Sequence, residues 1–402
     1  MTDWRFELNC GIPSRLKDMQ YRRFGKTNLT LSVFSLGLMR CLESEALFDQ
    51  TVGRAIELGV NHLETASGYG QSEIYLGKAL KRGIPHPSDL AADAPHARTL
   101  HITTKIPPTA DAASMDRAID QSLARLGVSR LDALAIHGIN TWQHLEWIRS
   151  PQGCMAAAQK ALADGRICHL GFSTHGFLEV ILAAISTDLF EFVNLHYYYF
   201  FQRHGAAIDL AAQKDMGIFI ISPADKGGLL YSPPAKLEQI CAPFSPLHLT
   251  YRFLLSNPQI TTLSVGAANP DELTWPLAIA DQDGSLSKAE MAALERLEQE
   301  QQKLGSDRCH QCYACLPCPE EIHIPEVLRL RNLAVAYDMT AYGQYRYRMF
   351  DHAGHWFPGS QANHCSECGD CLPRCPENLA IPDLLKDADQ QLKGKKGRRL
   401  WD

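Results

Sequence analysis

The sequence has no long apolar run, no apolar segment near its first residue and no large excess of either charge. No stretch approaches the roughly 18 consecutive apolar residues that a transmembrane helix requires. The first ten residues, MTDWRFELNC, mix acids and bases, so we expect no secretory signal and a cytoplasmic location. Lys and Arg number 39 against 45 Asp and Glu, for a net charge of -6. This balance gives no reason to expect nucleic acid or an anionic membrane as a partner.

A dinucleotide-binding GxGxxG motif is also missing after the first predicted strand, which argues against a Rossmann unit. Strand-like runs instead alternate with amphipathic helical segments between residues 34 and 265. Eight such units over about 250 residues predict a TIM (β/α)8 barrel of the α/β class, not an open doubly wound sheet. The strand-like runs lie near Phe34 and at 60–64, 101–105, 131–137, 167–173, 192–196, 218–222 and 261–265.

Composition divides the 402 residues into three parts. We interpret residues 1–20 as an N-terminal extension and residues 21–303 as the barrel. Around Gly305 the composition changes to Cys, Pro and His, so we predict a separate domain at 304–402. Within the barrel, the Pro- and Ala-rich segment 85–98 is interpreted as an insertion. A charged helix is predicted at 287–303 and is expected to close the barrel.

Four chemically reactive side chains fall at or just after the ends of three consecutive predicted strands. Glu64 ends the second strand, Tyr69 follows it on a Gly-rich loop, and Lys105 and His137 end the next two strands. Each has an ordinary explanation, since a lone His is often a satisfied core residue and a Lys often extends its stem to solvent. In a barrel, however, consecutive strand ends converge over the mouth where catalysis occurs. The set therefore predicts an active site.

These strand ends lie in segments that resemble the aldo-keto reductase family. The resemblance covers residues 21–275 and rests on YRRFGKTNLTLSVFSLG, GVNHLETASGYGQSEIYLGKAL, TTKIPP, LDALAIHGIN and GFSTHG. It implies a TIM barrel that reduces a small-molecule carbonyl with a nicotinamide cofactor and uses an Asp, a Tyr, a Lys and a His as catalytic tetrad. Tyr69, Lys105 and His137 match that tetrad by residue type, whereas Glu64 stands where the family usually has Asp.

The resemblance implies a role for each of the four residues. Tyr69 would donate a proton to the carbonyl oxygen, and a cationic Lys105 would lower the pKa of that phenol from about 10. Glu64 would pair with Lys105, and His137 would hydrogen-bond the substrate oxygen and position it. Because Glu is one methylene longer than Asp, we expect either an adjusted backbone or a looser tetrad.

The residues that would bind the nicotinamide cofactor match the family less closely. Thr174 stands where Asn is usual, and Ile221 stands where many members stack a Tyr on the nicotinamide ring. The segment VGAANPDELTW has no Arg or Lys for a 2′-phosphate, and an uncompensated Glu272 would repel one. NAD(H) is therefore slightly favoured over NADP(H). The resemblance places the cofactor contacts at Ser173, Asn194, Ser222, Gly227 and Gly228.

Of the thirteen cysteines, eight form two tight quartets after residue 305. The second quartet has the C-x2-C-x2-C-x3-C-P spacing of bacterial ferredoxins, and the first has one residue fewer before its last Cys. Zinc is the alternative, because four-cysteine zinc sites also use CxxC pairs, but closely spaced thiolates favour [4Fe-4S] clusters. The candidate ligands are Cys309, Cys312, Cys315 and Cys318 in the first quartet and Cys365, Cys368, Cys371 and Cys375 in the second.

Each quartet is followed by an Ile-Pro and an amphipathic segment, in EEIHIPEVLRL and ENLAIPDLL. This internal repeat is typical of two-cluster ferredoxin modules, in which the fourth Cys commonly binds the other cluster. We therefore expect Cys375 to join the first three cysteines of the first quartet, and Cys318 to join those of the second. The segment between the quartets is predicted to be mostly helical. The module resembles helical ferredoxin domains, which a subset of aldo-keto reductases carries at the C-terminus.

Three functions are compatible with this sequence. The favoured one is an iron–sulfur aldo-keto reductase. The second is an electron carrier whose barrel is a degenerate reductase and whose clusters serve a redox partner protein, and the third gives the clusters a mainly structural role. Hydride transfer moves two electrons together, whereas each cluster passes one, and no flavin-binding motif that would convert between them is recognisable. The sequence does not disclose the substrate; the candidate pocket residues are Asn140, Trp142, His175 and Tyr198.

Overall fold

A computed structural model of the chain describes residues 19–84, 99–282 and 284–397. It confirms the predicted barrel, in which eight parallel strands close when the last pairs with the first. An antiparallel hairpin of β1 (Tyr21–Arg23) and β2 (Thr30–Ser32) precedes the barrel. The barrel strands are β3 (Phe34–Gly37), β4 (His62–Glu64), β5 (His101–Ile106), β6 (Leu131–His137), β7 (Ile167–Ser173), β8 (Phe192–Leu195), β9 (Gly217–Ile220) and β10 (Thr262–Val265).

The predicted strands all occur in the predicted order, and their ends differ from the prediction by at most two residues. The predicted insertion at 85–98 and most of the predicted N-terminal extension lie outside the described residues. The domain bounds at 20/21 and 303/304 stay predictions. Within the part of the chain that the structure describes, no helix is both long and apolar enough to cross a bilayer.

Six of the described helices begin at a residue whose side chain caps the first turn. The described helices are α1 (Glu45–Glu57), α2 (Ser72–Arg82), α3 (Ala112–Leu126), α4 (Trp142–Arg149), α5 (Cys154–Ala163), α6 (Leu178–Ile185), α7 (Gly205–Gln213), α8 (Ala235–Cys241), α9 (Pro246–Leu255), α10 (Asp271–Leu277), α11 (Lys288–Gln302), α12 (Ile324–Tyr337), α13 (Thr340–Tyr347) and α14 (Ile381–Leu392). Asp111 caps α3 by accepting the N–H of Ser114, and α3 ends at Gly127 with φ 65°. A side-chain cap and a left-handed glycine satisfy groups that a helix end leaves unbonded.

The N-terminal hairpin fills the end of the barrel opposite the predicted active site. Phe24 packs inside the barrel with Phe192 and Phe219, which lie near the start of β8 and β9. Gly217 begins β9, and a Cβ there would lie 2.3 Å from the Phe24 ring, so only glycine fits. The predicted charged helix exists as α11, but it packs against α8 and α12. The expectation that this helix closes the barrel stays a prediction.

The C-terminal segment forms a helical layer on the barrel. All residues of α12 except Val335 are buried, because α12 packs against α11 on one side and α13 and α14 on the other. A helix buried all round is apolar or internally paired, and here Arg329 forms a two-bond ion pair with Glu326 at 2.5 and 2.8 Å. Helices α12 and α13 confirm that the segment between the quartets is mostly helical.

Candidate active site

The four predicted catalytic residues meet at the carboxyl end of the barrel. Strands β4, β5 and β6 are neighbours, which places Glu64, Lys105 and His137 side by side. Lys105 Nζ lies 2.5 Å from Glu64 Oε1 and 4.6 Å from the centre of the Tyr69 ring. The rings of Tyr69 and His137 meet edge to face, with centroids 5.8 Å apart. The predicted tetrad is thus one contiguous group.

Lys105 is a buried ammonium held by three partners. Its side chain is 2% exposed, and it also donates to the backbone oxygen of Thr65 at 2.9 Å. Burial alone would lower the pKa of Lys105, but the Glu64 carboxylate and the neighbouring Tyr69 outweigh the loss of water, so this pKa is raised. Lys105 therefore stays charged at neutral pH. The extra methylene of Glu64 does not prevent the ion pair.

The loop that carries Tyr69 is fixed to the adjacent strand. Ser67 donates both its N–H and its hydroxyl to the backbone oxygen of Lys105, at 2.9 and 3.1 Å. Tyr69 N–H donates to Ala66 O at 3.0 Å, and Gly70 follows in the left-handed region at φ 51°. Tyr69 and His137 are both half-buried. Their polar groups therefore sit at the barrel mouth, where a ligand can reach them.

Ser173 and Asn194 form a pair of polar groups beside the tetrad. They are in register on β7 and β8 and are both buried. Asn194 Nδ2 donates to Glu64 Oε1 at 3.1 Å, while its Oδ1 is buried without a hydrogen-bond partner among the described residues. Ser173 Oγ accepts the N–H of Gly138 at 3.1 Å, which leaves the hydroxyl proton to donate. A carboxamide, as in nicotinamide, offers the matching acceptor and donor.

The other predicted cofactor positions have structural partners of their own. Thr174, in place of the usual Asn, donates its hydroxyl to Ile139 O at 2.8 Å. Ser222 O accepts the N–H of Lys226, and Gly228 N–H donates to Asp225 O at 3.2 Å. A Cβ on Gly227 would lie 2.0 Å from a backbone oxygen of the same turn. The N–H of Gly228 is thus bound within the turn, and its predicted contact with a pyrophosphate has no support in this geometry.

The surroundings of Glu272 differ from the expectation that its charge is uncompensated. Its Oε2 lies 2.8 Å from Nη1 of Arg40, which also donates to Gly266 O at 2.7 Å. Ala268 N–H donates to the same carboxylate at 3.0 Å. The expectation that Glu272 is uncompensated is therefore wrong, because Arg40 supplies the opposite charge from a distant loop. The charge argument for NAD(H) over NADP(H) no longer holds.

Trp356 from the C-terminal segment covers the barrel mouth, which sequence reasoning missed. Its ring lies 5.2 Å from that of His137 and 5.0 Å from that of His175, both edge to face. His355 precedes Trp356, and its Nδ1 forms a hydrogen bond with Nδ2 of Asn140 at 2.9 Å. A Cβ on Gly138 would lie 2.6 Å from the Trp356 ring, so glycine admits this close approach. The only signal in the sequence is the aromatic and basic composition of YGQYRYRMFDHAGHW.

A buried chain of hydrogen bonds runs away from His175. Tyr198 donates to the backbone oxygen of Ile221 at 2.5 Å. Because this bond uses the hydroxyl proton of Tyr198, the hydroxyl oxygen accepts a hydrogen bond from Nδ1 of His196. In a neutral His196 the other ring nitrogen, Nε2, then accepts from Nδ1 of His175 at 3.0 Å. Burial, reinforced by the cationic Lys226, lowers the pKa of both histidines well below the usual range. Of the other predicted pocket residues, Asn140 is buried, whereas Trp142 is 55% exposed.

Cysteines of the two quartets lie near one another. One cavity is lined by Cys318 together with Cys365, Cys368 and Cys371. Burial, with smaller contributions from the nearby thiols of Cys312 and Cys375, raises the pKa of the Cys309 thiol to about 11. All eight cysteines are free thiols. Cys318 thus lies with three members of the second quartet, and Cys375 lies near Cys309. Within the described ranges no three of these thiols are already placed to hold a metal ion, so the crossed ligation of two [4Fe-4S] clusters stays a prediction.

The fold and the cysteine-rich segment define a (β/α)8 barrel with an appended iron–sulfur domain. The chain belongs to the aldo/keto reductase family, whose sequence model matches residues 43–299. The model of the 4Fe-4S dicluster domain matches residues 305–379. The second match confirms the predicted iron–sulfur domain and decides against zinc.

Two curated relatives match part of the barrel. L-glyceraldehyde 3-phosphate reductase of Escherichia coli (strain K12) is 28% identical over 182 residues, 40% of this chain and 47% of that protein. 6-dehydroglucose reductase of Novosphingobium aromaticivorans is 28% identical over 188 residues, 42% of this chain and 56% of that protein. The chain thus spans about half the length of the curated relatives it matches.

Two solved structures share the barrel. The holo form of aldo-keto reductase AKR11C1 from Bacillus halodurans has a TM-score of 0.58 at 20% identity, covering 69% of this chain and 96% of that one. An aldo-keto reductase from Pseudomonas aeruginosa has a TM-score of 0.53 at 22% identity, covering 67% of this chain and 99% of that one. At such identities the likeness shows the fold alone.

Proposed function

We propose that this protein reduces a small carbonyl compound with a nicotinamide cofactor and that Tyr69 is its proton donor. The observation that supports this most is the buried ion pair of Lys105 and Glu64 against the Tyr69 ring. A bound nicotinamide supplies the hydride that reaches the carbonyl carbon. Tyr69 donates a proton to the carbonyl oxygen, and the ammonium of Lys105 stabilises the phenolate that remains.

The residues around this ion pair position the substrate and the cofactor. His137, edge to face with Tyr69, hydrogen-bonds the substrate oxygen and orients it. Ser173 and the unsatisfied oxygen of Asn194 hold the carboxamide of the cofactor. Trp356 covers the mouth beside His137 and limits the entry of water.

The eight quartet cysteines bind the two clusters in the crossed arrangement. The clusters then tie the loops at 309–318 and 365–375 to each other and hold α12 and Trp356 against the barrel. A metal-bound state that is absent from the unfolded chain stabilises the fold directly. In this proposal the clusters shape the active site, and hydride transfer proceeds without passing electrons through them.

A second candidate function is electron exchange between the clusters and a partner protein. It is supported by the exposure of Cys312 and Cys368, one in each set. An exposed ligand brings its cluster near the surface, where a partner can accept single electrons. Carbonyl reduction that depends on added reduced ferredoxin would favour this function. Equal turnover with and without ferredoxin would favour the nicotinamide reaction.

The Tyr69 assignment is tested with purified, cluster-loaded protein and short aldehydes. The names of the relatives, L-glyceraldehyde 3-phosphate reductase and 6-dehydroglucose reductase, make small polar aldehydes the first compounds to assay. We expect Tyr69→Phe to lower kcat by about 10²–10⁴, since it removes general acid catalysis. The matched control is Tyr75→Phe on α2, which removes the hydroxyl of a half-buried tyrosine outside the tetrad. Equal activity of the two variants would refute Tyr69 as the donor.

A further inference from the structure

A loop of the C-terminal segment lies over one side of the barrel mouth. This cover loop, residues 351–362, carries Trp356 at the end of a short 3₁₀ turn (Gly354–Trp356). The indole meets the His137 ring edge to face at 5.2 Å, and on its other side His137 meets the Tyr69 ring at 5.8 Å. Trp356 and Tyr69 therefore both border the side chain that is proposed to hold the carbonyl oxygen.

The cover loop is fixed to the helical layer from which it comes. Ser360 N–H donates to the backbone oxygen of Glu321 at 2.9 Å, so the loop pairs with the segment that leads into α12. Ala362 N–H donates to the hydroxyl oxygen of Tyr347, at the end of α13, at 2.8 Å. Backbone bonds of this kind hold the loop, and with it Trp356, in one position relative to these two helices.

The barrel loop under the indole is shaped to receive it. Gly138 follows the last residue of β6 at φ 85°, and a Cβ there would lie 2.6 Å from the Trp356 ring. Asn140, two residues further on, is bonded to His355 of the cover loop at 2.9 Å. Its Oδ1 also accepts the N–H of His175 at 2.7 Å, and the ring of His175 lies 5.0 Å from the indole. The indole is thus enclosed by barrel residues as well as held by the cover loop.

We propose that Trp356 limits the size of the substrate, so that this protein reduces carbonyl compounds with short, unbranched chains. The inference rests on the proposed reductase function. A carbonyl oxygen that reaches both Tyr69 and His137 places the rest of the substrate beside the indole. Because protein groups are close-packed and forcing extra volume among them is costly, a branched chain that overlaps the indole is excluded. The size limit is then set by the C-terminal segment, whereas the catalytic groups belong to the barrel.

The test compares a slender and a branched aldehyde, propanal and 3,3-dimethylbutanal, with the cluster-loaded protein. We expect the wild type to prefer propanal. Trp356→Ala should raise kcat/KM for 3,3-dimethylbutanal relative to propanal by about 10–100-fold, the range over which a few methyl groups change discrimination in an apolar pocket. Trp356→Phe keeps an aromatic ring of smaller size, so it should fold if the alanine variant does not and should give an intermediate ratio.

The matched control is Trp147→Ala on α4. Trp147 is half-buried like Trp356, but its ring packs against His144 at 5.4 Å on the outer layer of the barrel. This variant should keep the wild-type ratio of the two aldehydes. Equal kcat/KM for propanal and 3,3-dimethylbutanal in the wild type would overturn the proposal. So would equal losses for both aldehydes in Trp356→Ala and Trp356→Phe, since these show a structural role alone.

A binding measurement separates the size limit from the reductase function. Removing the indole leaves a space beside His137, Gly138 and His175, and indole itself has the shape to fill it. Titration calorimetry should show saturable indole binding to Trp356→Ala and none to the wild type, and added indole should restore the preference for propanal. If no form reduces an aldehyde but this binding is found, the reductase function fails and Trp356 still limits what the mouth admits. If aldehydes are reduced without a size preference and Trp356→Ala binds no indole, the size limit alone is overturned.

Discussion

Lys105 has the most demanding environment of any residue at the barrel mouth. A cation that is 2% exposed requires a nearby negative charge, and the structure supplies it through Glu64. The longer Glu in place of the family's Asp reaches Lys105 at 2.5 Å without loss of the contact with Tyr69. The carboxylate also accepts from Asn194, so one residue connects the proposed catalytic group with the proposed cofactor group.

We expect Glu64→Ala to destabilise the protein by about 3–5 kcal/mol, because it leaves the Lys105 ammonium buried without its partner. Unfolding in urea, followed by circular dichroism while the cluster absorbance is intact, measures the change. Glu64→Asp should cost less, since it keeps the charge. Combining Glu64→Leu with Lys105→Met should recover much of the loss, because two apolar groups replace the pair.

The control for this experiment is Glu57→Ala at the end of α1. Glu57 is 51% exposed and pairs with Arg54 at 3.1 Å. Exposed pairs of this kind contribute within about 1 kcal/mol. Equal destabilisation by Glu64→Ala and Glu57→Ala would show that Lys105 is hydrated or otherwise satisfied.

At the level of elements, the two cysteine loops depend on each other. The cavity lined by Cys318 and three cysteines of the second quartet places the end of one loop beside the start of the other. Repeated Ile-Pro segments begin α12 and α14, which pack against each other behind the loops. The spacing of the quartets predicts that the fourth Cys of each run ligates the other cluster, and this crossed ligation stays a prediction.

Paired cysteine substitutions test the crossed arrangement. In Cys309→Ser with Cys375→Ser, both changes fall on one cluster, so we expect about four irons to remain. In Cys365→Ser with Cys375→Ser, the changes fall on different clusters, so we expect both clusters to be damaged. Iron and sulfide counts after anaerobic purification give the result. The opposite pattern would show that each quartet holds its own cluster.

At the level of the whole molecule, several histidines are buried as neutral groups. Burial lowers the pKa of His62 inside the barrel to about 3 and that of His204 to about 4. The unfolded chain binds a proton on each of them at about pH 6.5, while the folded chain does not. Stability contributed by these groups is therefore present above pH 6.5 and is lost as the pH falls toward the folded values.

We expect the free energy of unfolding to decrease between pH 6.5 and 5.5, and His62→Gln to reduce that decrease by about 1 kcal/mol over the interval. Urea unfolding at several pH values, within the range where the cluster spectrum is unchanged, measures the slope. His352→Gln is the matched control, because His352 is half-exposed. Identical slopes for wild type and His62→Gln would contradict neutral burial of His62.

Patterns local to the chain were sufficient to predict much of this protein. Alternating strand and helix signals predicted the barrel, strand ends predicted Glu64, Lys105 and His137 as neighbours, and cysteine spacing predicted the iron–sulfur domain. These features depend on periodicity and on residues close in sequence, which a single chain displays directly. The strand order then follows from the parallel barrel.

Only the tertiary structure decided which distant side chains meet. Trp356 on His137, His355 on Asn140 and Arg40 on Glu272 each join residues from segments far apart in the chain. No periodic pattern encodes such contacts, because they form only when the C-terminal helices and the barrel loops pack together.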